Sequence, residues 1–399
     1  MQYIPFITSP KALQLVKTIY SDAAGIRVPL DIAQRLTLPP ALKLWLDPGV
    51  DGLDDLEARR PRPDKNDPKK KISTPWFDGM KHVPGFDKIA SPSFLTKPVP
   101  KVVKEFVVTI LDRCLAHKPS LISVPQLPVV DDASRNKINR ALAKATGEWK
   151  ASREFSGRLI LPLILTHQNQ THAKVERNKK VEQAGRNYHE AHAYGIWVVD
   201  KSFSDETGSK ALRGARFTSL IQFHQQLNDE ISSRIRIAGP YWGLNLVLWA
   251  RGLIEYPAIG VGSTYHYNLS GNHKPGSTPA SRVALGPLRR RAITVHLRPW
   301  LEKTLKNLDS HHPAYADLEA VQKRLTFLGD YERAREQVAR FYKTWLDILA
   351  ATPPSGRSLA LFQDLSAAYT TGKSLLEIPD EGPSRRPESI AEPLMLNCL

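Results

Sequence analysis

The residues with the clearest chemical capacity stand where apolar runs of the sequence end. "YGIWVVD" closes on Asp200 and is followed at once by Lys201. "LKLWLD" closes on Asp47, "RVPLDI" carries Asp31, and "RLILPLIL" leads into "THQNQTH" with His167 and His172. A carboxylate that ends an apolar run must be solvated, paired or used, and carboxylates beside a histidine and an ammonium suffice for acid–base work on a polar substrate. Asp200 is therefore the leading catalytic candidate, with Lys201, His167, Asp47 and Asp31 completing the set. Against this, Asp47 in "LDPG" suits a turn, Lys201 suits a simple ion pair with its neighbour, and "THQNQTH" suits a solvated loop. The spacing of His167 and His172 fits no standard metal pattern, and neither does that of His189 and His192, so no metal site is expected. No pattern names a cofactor.

A second group of residues points to polyanions. The net charge is +16, from 56 Lys and Arg against 40 Asp and Glu, which favours nucleic acid first and an anionic membrane surface second. Between Glu255 and Glu302 there is no acidic residue, while Lys274, Arg282, Arg289, Arg290, Arg291 and Arg298 all fall in that gap. Tyr265, Tyr267 and Trp300 are interleaved with them, and Tyr241 and Trp242 in "AGPYWGLN" lie just upstream. Cations for phosphates with aromatics for stacking are what a single-stranded or distorted nucleic acid requires. Lys69, Lys70 and Lys71 offer a further contact region. The structural alternatives are a solvated basic face and, for Tyr241 and Trp242, a lid on the core. No Walker loop or dinucleotide fingerprint is present at the Gly239–Gly243 turn.

The elements that must position these groups follow from the same runs. Seven near-continuous apolar stretches, at 27–32, 42–47, 120–126, 158–165, 194–200, 234–239 and 258–263, read as strands covered on both faces. Helical patterns lie between most of them, and an eighth strand is expected at 283–288 or 292–297. Eight such units imply a TIM-like (β/α)8 barrel, with an open doubly wound α/β sheet as the alternative. In a barrel, the strand ends carrying Asp31, Asp47, His167, Asp200 and Tyr241 converge on one face. The predicted organisation is a barrel over 1–298 with a loop insertion at 48–100, a helical extension over 299–372, and a flexible tail over 373–399. The stretch 314–351 reads as one long amphipathic helix or two, and 314–372 is the region through which a protein partner would dock. Two cysteines, Cys114 and Cys398, build no disulfide framework, and the start lacks a signal-peptide pattern. A cytoplasmic protein that does not enter the membrane is expected.

The opening stretch, residues 3–32, resembles the start of the phage-type "beta protein" family. Members begin with Tyr-x-Pro, a helix containing Ala-Leu, and a first barrel strand with Pro-Leu before an acidic residue. Tyr3, Pro5, Ala12, Leu13, Pro29, Leu30 and Asp31 occupy those places. The resemblance implies a TIM-like barrel encoded with mobile elements or defence loci, and brings no known reaction. Three functional readings result. The first is a basic nucleic-acid-binding barrel of a mobile-element or anti-phage defence system. The second is an enzyme that hydrolyses or exchanges bonds in nucleotides or nucleic acid by Asp/His acid–base chemistry. The third is a non-catalytic scaffold subunit.

Overall fold

A three-residue strand near the start of the chain closes a ring that the seven apolar runs leave open. The computed structural model describes residues 3–37, 43–56, 60–63, 67, 69, 71–89, 91, 94, 98–166, 174–203, 215–261, 281–378 and 385–399. The first four strands of the ring are β1 (Ile4–Phe6), β2 (Ile26–Pro29), β3 (Leu44–Asp47) and β4 (Leu121–Ser123). β5 (Arg158–Leu165), β6 (Gly195–Asp200), β7 (Ile235–Ala238) and β8 (Tyr256–Gly260) follow. All pairings are parallel, and β1 pairs with both β2 and β8, so the barrel is closed. This is the TIM-like architecture, and the open-sheet alternative is overturned.

The strands are mostly apolar because both of their faces are largely covered. In β5, every residue after Arg158 is buried. Inside the ring, Phe6, Trp45 and Trp197 meet edge to face with centroids 5.3–5.5 Å apart, filling a space that side chains must occupy. Their indoles are satisfied: Trp45 Nε1 donates to Ser123 Oγ at 2.9 Å and Trp197 Nε1 to the Gly239 carbonyl at 2.7 Å. Outside lie α1 (Pro10–Ile19), α2 (Pro100–Leu115), α3 (Ala133–Ser152), α4 (Lys174–Glu190), α5 (Ala215–Glu230) and the short, wholly buried α6 (Leu244–Ala250). Asp132 caps α3, accepting from the Ser134 N–H at 2.7 Å.

The expected eighth strand is corrected. Residues 283–288 and 292–297 do not enter the ring. Instead β9 (Arg282–Leu285) and β10 (Arg290–Ile293) form an antiparallel hairpin with its own core. Val283, Leu285 and Leu288 pack there against Leu297 and Trp300 of α7 (Thr294–Asn307) and Leu318 of α8 (Tyr315–Leu328). The true first strand, "IPF", is too short for periodicity or continuity to register.

The barrel boundary at 298 is corrected as well. The stretch 314–351 is two helices, α8 and α9 (Tyr331–Ala351), and α9 belongs to the ring of helices. On one side it meets α1, where Tyr20 Oη donates to the Ala339 carbonyl at 2.9 Å and Lys11 pairs with Glu332 at 3.2 Å. On the other it meets α6, where Tyr342 Oη donates to Asn245 Oδ1 at 2.8 Å. That is the place of a barrel's eighth helix, between the seventh and the first. α10 (Arg357–Lys373) and α11 (Ala391–Met395) then pack alongside. The expectation of a flexible tail fails for its described end, since Ile390, Ala391, Leu394 and Cys398 lie in the main core. Leu394 reaches Gly243, whose φ of +80° suits glycine and where an added Cβ would lie 2.6 Å from Leu394 Cδ1.

Two consequences are measurable. A chain ending at residue 310 lacks α9 and exposes the apolar faces of α1 and α6. Circular dichroism of that chain is expected to show no cooperative melt, whereas a detachable extension would leave the barrel's transition in place. On α5, His224 is buried with its Nε2 unpartnered, and burial, reinforced by Arg236, pushes its imidazole down to about 3. The folded protein keeps this side chain neutral while the unfolded chain protonates it below its ordinary value of 6.5. Stability therefore falls as pH drops from 6.5 toward 3, by up to about 1.4 kcal/mol per pH unit. Urea melts at pH 7 and pH 4.5 should show a smaller loss for His224→Leu than for the wild type.

Candidate functional site

The carboxylates ending β3 and β6 lie buried at the C-terminal mouth of the ring, each against a guanidinium. β2 carries Arg27 beside β3, in a register that pairs Pro29 with Asp47. The Arg27 side chain points inward, with Cζ 4.7 Å from the Phe6 ring centroid and 4.9 Å from that of Trp197. Its Nη2 is ion-paired with Asp47 Oδ2. Asp47 Oδ1 accepts from the Gly49 N–H at 2.9 Å, so the turn reading of "LDPG" and the pairing of its carboxylate are both realised.

Across the mouth, Asp200 Oδ2 accepts from Arg216 Nε at 2.7 Å and Oδ1 from the Ser202 N–H at 2.8 Å. Arg216 Nη2 also donates to the Thr166 carbonyl at the end of β5. The Asp200 N–H donates to Tyr241 Oη at 2.5 Å, and burial, with the Asp200 charge, pushes the Tyr241 phenol well above its usual range. Lys201 pairs with Asp51 at 3.2 Å rather than with its neighbour Asp200. Asp51 sits in the 3-10 turn Val50–Asp55 after β3, so this pair joins the chain leaving β3 to the chain leaving β6. In these last two pairs the cation is the outward partner. The side chains of Lys201 and Arg216 are 31% and 17% exposed, against 2% and 1% for Asp51 and Asp200.

Asp31 does not join the group as a free carboxylate. It is buried and lines a cavity of about 10 Å³ with Trp76 and Met80 of the helix Pro75–Met80, too small for a substrate. His167, Lys70, Tyr265, Tyr267 and Lys274 lie outside the described residues. Among the described residues no three His, Cys, Asp or Glu side chains group as a metal ion would need. Both cysteines are buried thiols, that of Cys398 pushed up to about 12 by burial.

The basic and aromatic set assigned to nucleic acid is corrected for its central members. Tyr241, Trp242, Arg290 and Arg291 are buried, none more than 2% exposed. Trp242 stacks on Phe341 of α9 with centroids 6.0 Å apart, and its Nε1 donates to the Arg289 carbonyl at 2.8 Å. The Arg291 guanidinium stands 5.0 Å over Trp242, Arg290 donates to the Arg386 carbonyl at 3.0 Å, and Arg289 pairs through Nε with Asp364 Oδ2 at 2.8 Å. These groups join the hairpin to the barrel and to α9–α11. A guanidinium suits that place because its planar fork can satisfy carbonyls and carboxylates while its face lies on aromatic rings. At the Gly239–Gly243 turn, the Gly243 N–H donates to Tyr342 Oη at 3.3 Å. Arg282 is half-buried in β9, while Lys69 and Lys71 are exposed.

Sequence reasoning missed Arg27, Asp51 and Arg216. Arg27 has a legible signal, a lone cation inside the apolar run of β2. The other two are recognisable only through partners distant in sequence. No family model matches the chain, and comparison with curated proteins finds no match.

Removing one member of the Arg27–Asp47 pair strands a charge inside the barrel. Asp47→Asn is expected to cost about 3 kcal/mol in chemical denaturation. The double variant Arg27→Met with Asp47→Leu should recover most of that loss, which a non-additive double-mutant cycle would report.

Proposed function

We propose that the chain is a barrel enzyme whose C-terminal mouth takes a phosphate-bearing substrate of the nucleotide or nucleic-acid class. The observation that carries this reading is the polarity of the paired groups. Lys201 and Arg216 face outward over carboxylates that are almost fully buried, so an approaching ligand meets positive charge held in place from beneath. Barrel enzymes carry their active sites on this face, and the net charge of +16 draws polyanions toward it.

Within this reading, Lys201 and Arg216 bind phosphate oxygens, and Asp51 and Asp200 fix their positions. Both oxygens of Asp200 accept hydrogen bonds, which suits a positioning group better than the acid–base role expected from the sequence. The resemblance of residues 3–32 to the phage-type "beta protein" family would set such an enzyme in a mobile-element or defence locus. The scaffold reading loses support because much of 314–372 packs on the barrel and the hairpin.

A thermal-shift and calorimetric series with nucleoside mono-, di- and triphosphates and short oligonucleotides tests the proposal. Lys201→Gln should weaken the best ligand about tenfold, as loss of one charge-assisted contact does, while leaving the fold intact. Wild-type affinity in Lys201→Gln, or no binding by any member of the series at low salt, would sink it.

A further inference from the structure

We propose that Arg298, Arg324 and Arg333, gathered around the exposed ring of Phe327, form a surface that binds the backbone of a single-stranded nucleic acid. Phe327 lies in the last turn of α8 and is 45% exposed, so burial does not account for it. Arg333, from the first turn of α9, places its Cζ 3.9 Å from the Phe327 ring centroid. Arg324, one turn earlier on α8, lies 5.7 Å from it. Arg298 of α7 donates from Nη2 to Thr326 Oγ1 at 2.9 Å. Three helices thus bring guanidinium groups to two consecutive residues, and all three arginines are exposed.

Their lack of acidic partners separates them from other arginines of this region. Arg289, Arg335 and Arg340 pair with Asp364, Glu332 and Glu336. No carboxylate among the described residues forms an ion pair with Arg298, Arg324 or Arg333. Glu332, next to Arg333 in the chain, pairs with Lys11 and Arg335, and Asp330 caps α9 by accepting from the Arg333 N–H at 3.0 Å. Gathered like charges repel, and an anion that bridges them relieves the repulsion. A guanidinium resting on an aromatic ring keeps its N–H edge available for a phosphate, and the exposed edge of the ring offers an apolar contact to a base. A single strand supplies both, with successive phosphates at close intervals. The surface uses none of the residues of the barrel mouth, so it stands or falls independently of it.

Fluorescence anisotropy of a labelled oligothymidylate with the full chain, at two salt concentrations, tests it. The double variant Arg324→Ala/Arg333→Ala should bind about tenfold more weakly at low salt. Its log–log salt slope should be shallower by about 1.4, the value for two lost phosphate contacts on a single strand. Arg340→Ala, on the same helix but paired with Glu336, should match the wild type in both readouts. Unchanged affinity and slope in the double variant would overturn the proposal. So would polyglutamate displacing the probe as well as unlabelled oligothymidylate does, since that would mark an acidic polypeptide as the partner.

Discussion

A ring of eight parallel strands stays dry only if every strand is covered from outside, and here the last cover arrives late in the chain. The groove beside β1 and β8 waits for α9, which follows β8 only after the hairpin, α7 and α8. The contact that seats α9 is polar as well as apolar. Tyr342 Oη donates to Asn245 Oδ1, also lies 3.2 Å from the Tyr241 carbonyl, and accepts from the Gly243 N–H. Burial pushes the Tyr342 phenol above its usual range, so it remains a donor throughout the accessible pH range. Around it Trp242, Phe341 and Trp345 pack ring against ring. The helix that completes the barrel's cover is therefore also the one against which the inserted hairpin packs. That is why hairpin residues that look like a surface end up as a joint.

The distribution of charge follows from that closure. A chain this basic cannot keep every arginine at the surface once the hairpin is clamped between barrel and α9–α11. Arg289, Arg290 and Arg291 are held there by a carboxylate, by backbone carbonyls and by aromatic faces. Arg27 faces a harsher version of the same problem inside the ring. Two aromatic faces and one carboxylate replace its water, and the desolvation of such a pair leaves little net stabilisation. What the pair supplies is definition. It ties β2 and β3 to one register, since a one-residue slip of either strand would turn its charge away from its partner.

Legibility in the sequence tracked the length and locality of the signal. β5 and β6 are long apolar runs, and the helices after them carry helical spacing, so the barrel could be read without coordinates. β1 could not, because three residues, one of them proline, hold too little pattern. The arms of the hairpin resemble short buried strands by composition, and nothing local distinguishes a strand that enters a ring from one that pairs with its neighbour. At the mouth, Asp47 and Asp200 were visible because each ends an apolar run. Asp51 and Arg216 were not, since their significance lies in partners from other loops. The run of cations from Arg282 to Arg291 misled for a related reason. Sequence reports charge but not direction, and inward arginines are written with the same letters as outward ones.

The mouth and the hairpin share a wall. The Asp200 N–H is held by Tyr241 Oη, and the next residue, Trp242, is held by the Arg289 carbonyl. The segment that carries both, Gly239 to Gly243, is pinned on its far side by Leu394 and by Tyr342. Neither side chain can shift alone, because the packing around each leaves no space to move into. The position of Asp200, and through it that of the Arg216 guanidinium, thus depends on how the hairpin sits against α9. An insertion that looks peripheral in the order of elements is, in the packing, part of what holds the outward cations of the mouth in place.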